Sequence, residues 1–247
     1  MTGKLEGKVA IVTGASRGIG NAIAYELASN GAKTIINYNK NEKKAEETAA
    51  TIRERGGEAL SVKADVSVTS EVEMLFAETI RAYGRVDILV NNAGIMITKP
   101  IDRIAEDDFD RIMGINVKGT FFTTQQAFRY MQPGGRVINI STSVVGQMFP
   151  GYSLYAASKG AVEQLTRQLA KEFGKKGITI NAIAPGPVNT ELFAADKSQE
   201  QIDNMKKTIA FERIGEPDDI SRVVLFLASP ESQWITGQTI RVNGGFI

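Results

Sequence analysis

The 247-residue chain contains neither histidine nor cysteine, and these two absences exclude several large classes of enzyme. Without histidine there is no Ser-His-Asp triad, no Cys-His pair and no histidine-ligated metal site. Without cysteine there is no disulfide framework, zinc ribbon, iron–sulfur cluster or thiolate nucleophile. Acid–base chemistry near neutral pH must therefore come from Asp, Glu, Lys or Tyr side chains with shifted pKa values, or from a bound cofactor.

The chain also lacks a strong net charge and a long apolar segment. Its 29 Lys and Arg residues balance 28 Asp and Glu residues, which leaves no general attraction for nucleic acid or an anionic membrane. No apolar run approaches the roughly 20 residues of a membrane span, and the first residues do not have the pattern of an export signal. We therefore expect a cytoplasmic protein that binds neither nucleic acid nor a membrane.

Short apolar runs alternate with longer amphipathic segments along the whole chain. The runs are nearly continuous in apolar character, as expected of parallel strands that are covered on both faces. Seven such strands separated by helices, including a long helix from Phe109 to Met131, predict an α/β fold with a doubly wound parallel sheet. We expect a single domain over residues 1–247, in which an irregular stretch at about 186–216 serves as a substrate-covering loop.

A glycine-rich segment, T-G-A-S-R-G-I-G from Thr13 to Gly20, follows the first apolar strand. Its spacing differs from the common dinucleotide fingerprint G-x-G-x-x-G, and it lacks the Gly-Lys-Ser/Thr of a P-loop. Glycines permit a tight turn and let the backbone approach a pyrophosphate at the positive end of the following helix. A purely structural turn is the alternative, but the position directly after the first strand favours cofactor binding.

Tyr155 and Lys159 are four residues apart on a predicted helix, so their side chains emerge on one face. An ammonium group beside a phenol favours the phenolate, and we expect it to lower the tyrosine pKa. Such a phenol donates a proton to a carbonyl oxygen or accepts one from an alcohol. The same spacing is common on solvated helix faces, but the lack of histidine and cysteine favours a catalytic pair here.

Four motifs, in order, resemble those of the short-chain dehydrogenase/reductase family over essentially the whole chain. They are the glycine turn, Asn91-Asn-Ala-Gly94, Tyr155-Ala-Ala-Ser-Lys159 and Pro185-Gly186. The resemblance implies a Rossmann-like fold and reversible, metal-independent hydride transfer between a nicotinamide cofactor and a carbonyl or secondary alcohol. A catalytically inactive dinucleotide sensor or scaffold is the alternative from another class, although such a protein would be expected to lose Tyr155 or Lys159.

The resemblance also implies a role for each catalytic residue. Tyr155 would be the acid–base group, Lys159 would bind the nicotinamide ribose, and Asn116 would hold a water of a proton relay. A hydroxyl about twelve residues before the tyrosine would orient the substrate oxygen. Ser143 is at that distance with a glycine three residues on, and it is the expected residue; counting from the strand would select Thr142, and Ser141 is expected to end the strand.

Further cofactor-binding positions follow from the same resemblance, and most lie at strand ends or in the turns after them. Asp65 would accept a hydrogen bond from the adenine amino group, unless it caps a helix instead. Thr190 would reach the carboxamide and pyrophosphate. The expected set is Gly14, Ser16, Arg17, Gly18, Ile19, Gly20, Asn37, Tyr38, Asn39, Asp65, Val66, Asn92, Ala93, Gly94, Tyr155, Lys159, Pro185, Gly186, Val188 and Thr190.

The end of the second predicted strand favours NADP over NAD. An NAD site places an Asp or Glu about 20 residues past the glycine turn to bind the ribose hydroxyls. Here Asn37-Tyr-Asn-Lys40 contains no carboxylate that would repel a 2′-phosphate. Asn37 and Asn39 are expected to donate to that phosphate, and Lys40 and Arg17 to add positive charge. Other basic groups, among them Lys43-Lys44, are interpreted as solvated helix surface.

Substrate and assembly depend on the resemblance alone. The motifs are close to those of 3-oxoacyl-carrier-protein reductases, but the uncharged turn from Tyr130 to Gly135 is closer to sugar (glucose dehydrogenase-like), polyol and polyketide-type members. Apolar residues of the 186–216 loop, such as Leu192 and Phe193, either cover an apolar substrate or pack on the domain. Members of the family are usually dimers or tetramers, and we expect a homotetramer.

Overall fold

A computed structural model describes residues 3–195 and 197–247, so that Met1, Thr2 and Asp196 of the expected 186–216 loop lie outside the described residues. A parallel sheet has the strand order β3-β2-β1-β4-β5-β6-β7, which confirms the predicted fold. Its strands are β1 Val9–Val12, β2 Lys33–Tyr38, β3 Ala59–Lys63, β4 Ile88–Asn91, β5 Arg136–Ile140, β6 Thr179–Pro185 and β7 Thr239–Val242.

Helices cover both faces of this sheet. They are α1 Gly18–Ser29, α2 Glu42–Glu54, α3 Thr69–Tyr83, α4 Glu106–Ile112, α5 Thr120–Tyr130, α6 Ser153–Lys175, α7 Glu191–Ala194, α8 Gln199–Lys206 and α9 Pro217–Ala228. Buried residues of α1, α2 and α9 pack on one face, and those of α3, α5 and α6 pack on the other. In the described part of the chain, none of the helices combines the length and apolar character that crossing a membrane requires.

The two-sided packing explains why the strands are continuously apolar. In β1, Ala10 and Val12 belong to the core beneath α1 and α9, whereas Ile11 faces the core beneath α3 and α5. Successive strand residues point to opposite faces, and both faces are covered. The direction of strand succession reverses between β1 and β4, and in such sheets the ligand crevice lies at the carboxyl ends of the strands beside this reversal.

The long helix predicted from Phe109 to Met131 is interrupted in its middle. Met113–Gly119 forms a π-helical segment between α4 and α5, and π-helical turns are frequent at functional sites. Gly119 is needed there, because a Cβ atom would lie 2.8 Å from Val66 Cγ2. The wider turn leaves Asn116 fully buried.

The stretch at 186–216 is less irregular than the sequence suggests, because it contains α7 and α8. Thr190 caps α7, and Ser198 forms a capping box with Gln201 at the start of α8. Neither helix contains a buried residue, so the apolar periodicity that identifies longer helices is weak here.

Candidate active site

Helix α6 carries Tyr155 and Lys159 to the carboxyl edge of the sheet. The Lys159 side chain is 5% exposed, and its Nζ donates a hydrogen bond of 2.7 Å to the carbonyl oxygen of Ile140 at the end of β5. A Cβ atom on Gly94 would lie 3.4 Å from Lys159 Nζ and 3.3 Å from Asn116 Oδ1. Two of the sequence motifs, those containing Gly94 and Lys159, therefore meet at one place together with Asn116.

Burial dominates the titration of both groups. It lowers the pKa of Lys159 to about 8 and raises the pKa of Tyr155 to about 12. A hydrogen-bonding interaction with Thr142 opposes the rise in the Tyr155 pKa, and the neighbouring Tyr152 adds to it. The expected lowering by Lys159 is not observed in this arrangement, in which the ammonium group is bonded to the Ile140 carbonyl.

A hydrogen-bonding interaction connects Tyr155 to Thr142, whereas Ser143, the expected residue, bonds to other groups. The Ser143 hydroxyl is buried, donates to Ala184 O at 3.0 Å and accepts from Asn243 Nδ2 at 3.0 Å. Ser141 donates to Glu163 Oε1 at 2.7 Å and so connects the end of β5 to α6. The alternative count, which starts from the end of the strand, selects Thr142 and agrees with this interaction. It does not depend on the length of the loop before Tyr155.

Asn116 is held rigidly inside the π-helical segment. Its Nδ2 donates to Ile95 O and Ser158 Oγ, both at 3.0 Å, and its Oδ1 accepts from Ile95 N at 2.9 Å. Ser158 in turn donates to Tyr155 O at 2.7 Å. Both amide hydrogens of Asn116 are thus used within the protein, and the side chain connects the segment after β4 to the helix that carries Tyr155.

Two glycines of the glycine turn have a left-handed backbone conformation. Gly14 and Gly18 have φ values of +62° and +57°, in the left-handed region that favours glycine. A Cβ on Gly20 would lie 2.4 Å from Asn92 Nδ2, which donates to the carbonyl oxygens of Thr13 and Gly14. Among the described side chains none caps the start of α1, so its N-terminal amides suit a phosphate group.

Other turn residues support this backbone. The Ala93 amide donates to Thr13 Oγ1 at 3.0 Å, and Ile19 packs against the core while Ser16 is half-buried. The turn is therefore braced from β4 and from the core beneath it.

Two expectations for the adenosine side are altered by the structure. Asn37 is 1% exposed, accepts from Gly14 N at 3.3 Å and donates to Ala64 O at 3.0 Å and Val62 O at 3.3 Å, so it cannot donate to a phosphate as expected. It braces the glycine turn against the end of β3. Tyr38 is buried as well, and burial raises its pKa. Both side chains face inward because β2 is covered on its two sides.

Asp65 and Asn39 bond to each other at the end of β3. Asn39 Nδ2 donates to Asp65 Oδ2 at 2.7 Å, and Ser67 donates to Asp65 Oδ1 through its amide and its hydroxyl. Burial pushes the pKa of Asp65 upward, but these hydrogen bonds outweigh it and leave the pKa below its ordinary value. Val66 is buried against Gly119. The Asp65 carboxylate thus has the local bonding of a turn-capping residue and remains charged.

The segment after β6 packs beside the glycine turn and against the C-terminal segment. A Cβ on Gly186 would lie 2.8 Å from Asn243 Cα, so Pro185 and Gly186 lie directly against the C-terminal segment. Val188 is buried and pairs with Gly215. The methyl group of Thr190 lies 3.4 Å from the Cβ position of Gly18, while its hydroxyl caps α7.

Comparisons with known proteins identify the family to which this chain belongs. A family model described as Enoyl-(Acyl carrier protein) reductase matches residues 14–247. A short chain dehydrogenase from Burkholderia cenocepacia in complex with NADP superposes with a TM-score of 0.94, at 36% identity over 98% of this chain and 99% of that one. This chain belongs to the short-chain dehydrogenase/reductase family.

Two further members of the short-chain dehydrogenase/reductase family are similar over almost their full length. A hydroxynaphthalene reductase-like protein Arp2 of Metarhizium acridum is 44% identical, covering 98% of this chain and 96% of that one. The angucycline C-6 ketoreductase LanV with bound NADP has a TM-score of 0.94 at 38% identity, covering 100% of this chain and 98% of that one.

Some residues around this short-chain dehydrogenase/reductase site were missed by sequence reasoning. Tyr152 lies next to Tyr155, with ring centroids 6.5 Å apart, and Phe149 and Phe246 extend the row of rings. Lys44, interpreted from the sequence as solvated surface, donates to Glu191, as does Arg17. No local pattern connects positions so far apart, although the aromatic residues flanking Tyr155 were a usable signal.

Proposed function

We propose that the protein is an NADP-dependent reductase that transfers hydride reversibly between the nicotinamide cofactor and a carbonyl or secondary alcohol. The convergence of Lys159 and Asn116 beside Gly94, with Tyr155 one helical turn before Lys159, carries this proposal. The left-handed glycines and the uncapped start of α1 fit a dinucleotide. The NADP named with two structural relatives and the missing acid at the end of β2 favour NADP.

The side chains divide the chemistry between them. When bound, the nicotinamide cofactor supplies or accepts the hydride. In the reductive direction, the Tyr155 phenol donates a proton to the carbonyl oxygen, and the Thr142 hydroxyl donates a hydrogen bond that orients this oxygen. The Lys159 ammonium would bind the ribose of the nicotinamide nucleotide. Asn116 acts as a positioning residue, because its amide connects Ile95 to Ser158.

We extend the proposal to the substrate, which we infer to be a bicyclic or polycyclic aromatic ketone. The rings of Tyr155, Tyr152, Phe149 and Phe246 follow one another at centroid distances of 6.5, 5.7 and 6.1 Å. Aromatic faces stack favourably with planar rings. The names of two relatives, a hydroxynaphthalene reductase-like protein and an angucycline ketoreductase, support the same substrate class.

The test is NADPH oxidation by the purified protein with three matched carbonyl compounds: a tetralone-type bicyclic ketone, an aliphatic 3-oxoacyl ester and an open-chain sugar. We expect the bicyclic ketone to give the highest kcat/KM, and NADPH to be preferred to NADH. If NADPH binds but no carbonyl compound oxidises it, the reductase proposal is wrong. If the aliphatic ester is the best substrate, only the substrate class is wrong.

The assembly and the covering segment remain proposals as well. An apolar groove of about 870 Å³ between the π-helical segment and α6 is lined by Met113, Val117, Phe121 and Leu165, among others. Because relatives are usually oligomeric, we propose that a second copy covers this groove within a homotetramer of single-domain subunits. A mass measurement by light scattering tests the assembly, and a monomer would contradict it.

The 186–216 segment is proposed to cover the substrate.

A further inference from the structure

One carboxylate at the rim of the crevice is shared by two cations from different elements. Glu191 Oε2 accepts a hydrogen bond of 2.6 Å from Arg17 Nη1, and Glu191 Oε1 accepts one of 2.7 Å from Lys44 Nζ. Arg17 precedes α1 in the glycine turn, Lys44 lies in the first turn of α2, and Glu191 begins α7. Three segments far apart in sequence therefore meet at one anionic group.

The arrangement fits an anion better than it fits a purely structural ion pair. The side chains of Arg17, Lys44 and Glu191 are 58%, 41% and 57% exposed, so water reaches all three. Exposed ion pairs of this kind contribute little to folding stability. Lys44 and Arg17 hold the pKa of Glu191 below its ordinary value, so the carboxylate is charged whenever the cations are. Two cations thus hold a single negative group with two oxygens, as they would hold a phosphate.

The position of this cluster matches the adenosine side of the cofactor. Arg17 lies within the glycine turn, and the neighbouring end of β2 carries no acid before Glu42. The Thr190 methyl packs beside Gly18, which keeps the start of α7 close to the turn. A 2′-phosphate carries more charge than a carboxylate and has three oxygens for the same donors.

We propose that Lys44 binds the 2′-phosphate of the cofactor together with Arg17, the cation already expected there, and that Glu191 is an internal anion that competes for both cations. Lys44 is then a residue that determines cofactor specificity. The inference rests on the proposed function, since it assumes NADP as the cofactor.

The first experiment measures dissociation constants of adenosine 2′,5′-bisphosphate and adenosine 5′-monophosphate for Lys44→Ala. We expect binding of the bisphosphate to weaken about tenfold and binding of the monophosphate to stay unchanged, because a charge-assisted contact is lost only at the 2′-phosphate. Lys43→Ala is the matched control, since Lys43 is the adjacent residue of α2, is 88% exposed and pairs with Glu47 instead. Equal effects of the two substitutions would overturn the role of Lys44.

The second experiment applies the same two ligands to Glu191→Gln. We expect the bisphosphate to bind about threefold more tightly, because an exposed competing charge is removed, and the monophosphate to bind as before. Glu231→Gln is the control, because Glu231 is 55% exposed and also accepts from a lysine, Lys4. Weaker binding of the bisphosphate to Glu191→Gln, or no change, would overturn the competition.

The wild-type protein separates failure of this inference from failure of the proposed function. If it binds the bisphosphate no more tightly than the monophosphate, the assignment of NADP fails and this inference fails with it. If it prefers the bisphosphate but Lys44→Ala and Glu191→Gln behave like their controls, the cofactor assignment stands and only the inference fails. Matching thermal midpoints of all variants exclude a folding defect as the cause.

Discussion

The proposed catalytic end of the crevice and its proposed phosphate end are built in opposite ways. At the catalytic end, Lys159 and Asn116 are 5% and 0% exposed, and hydrogen bonds to Ile140, Ile95 and Ser158 fix them. At the phosphate end, Arg17, Lys44 and Glu191 are about half exposed and are held by ion pairs. Groups that stabilise a transition state must be preorganised. Groups that bind an anion from water can instead be held by weak, exposed ion pairs that the anion displaces.

Separate removal of the Thr142 and Ser143 hydroxyls should have very different effects on the proposed catalytic end. Thr142→Val deletes the hydroxyl that interacts with Tyr155, and we expect kcat to fall about a hundredfold, as for loss of one preorganised donor. Ser143→Ala deletes the bonds to Ala184 and Asn243 and should cost about 1–2 kcal/mol of unfolding free energy with a much smaller loss of kcat.

Steady-state kinetics and urea unfolding of both variants check this pair of expectations. Thr142→Ser keeps the hydroxyl and serves as the control, with kcat close to that of the wild type. A collapse of kcat in Ser143→Ala, with Thr142→Val nearly unaffected, would return the role to Ser143.

The buried ammonium of Lys159 should make reduction pH-dependent. Burial lowers the pKa of Lys159 to about 8, so the charged form that would bind the nicotinamide ribose is lost above this pH. We expect kcat/KM for carbonyl reduction to fall about tenfold per pH unit above pH 8, as for loss of one essential proton in the free enzyme. A profile of kcat/KM against pH measures this, and a flat profile to two units above pH 8 would contradict it.

The buried charge of Lys159 should lower the free energy of unfolding, whereas the exposed charges at the phosphate end should not. Lys159→Met removes an ammonium that is poorly solvated, and we expect the free energy of unfolding near neutral pH to rise by ~1–2 kcal/mol while activity is lost. In the wild type the folded pKa of about 8 lies below the ordinary value of 10.5, so folded protein binds fewer protons between these values and gains stability as pH rises.

The advantage of Lys159→Met should therefore shrink across that range, as urea unfolding at several pH values would show. If the variant is less stable than the wild type near neutral pH, the bond to Ile140 compensates the charge fully and the expectation is wrong.

The residues proposed for the catalytic end follow a local sequence pattern, whereas those of the proposed phosphate end depend on contacts between distant segments. Tyr155 and Lys159 are four residues apart on one helix, so local geometry alone brings them together. The choice between Ser143 and Thr142 depended on the conformation of the loop before Tyr155, which no sequence periodicity predicts. Asn37 and Glu191 take their roles from partners 27 and 147 residues away, Ala64 and Lys44 respectively.

The smallest expected effect concerns the aromatic row beside the catalytic end. Phe149→Leu keeps an apolar side chain but removes the ring between Tyr152 and Phe246, and we expect KM for a bicyclic aromatic ketone to rise about threefold with kcat unchanged. Phe226→Leu is the control, because Phe226 has the same 37% exposure and lies on α9. Equal KM values for the two variants would remove the support for an aromatic substrate.

The most direct test of carbonyl reduction at Tyr155 is a single-turnover measurement with NADPH already bound. Wild type and Tyr155→Phe are saturated with NADPH, binding is verified by cofactor fluorescence, and a bicyclic aromatic ketone is then mixed in while NADPH absorbance is followed. We expect rapid oxidation of one equivalent by the wild type and none on the same timescale by Tyr155→Phe, since the variant lacks the proton donor but keeps the cofactor site. Equal rates of oxidation in the two proteins would contradict the assignment of Tyr155 as the acid.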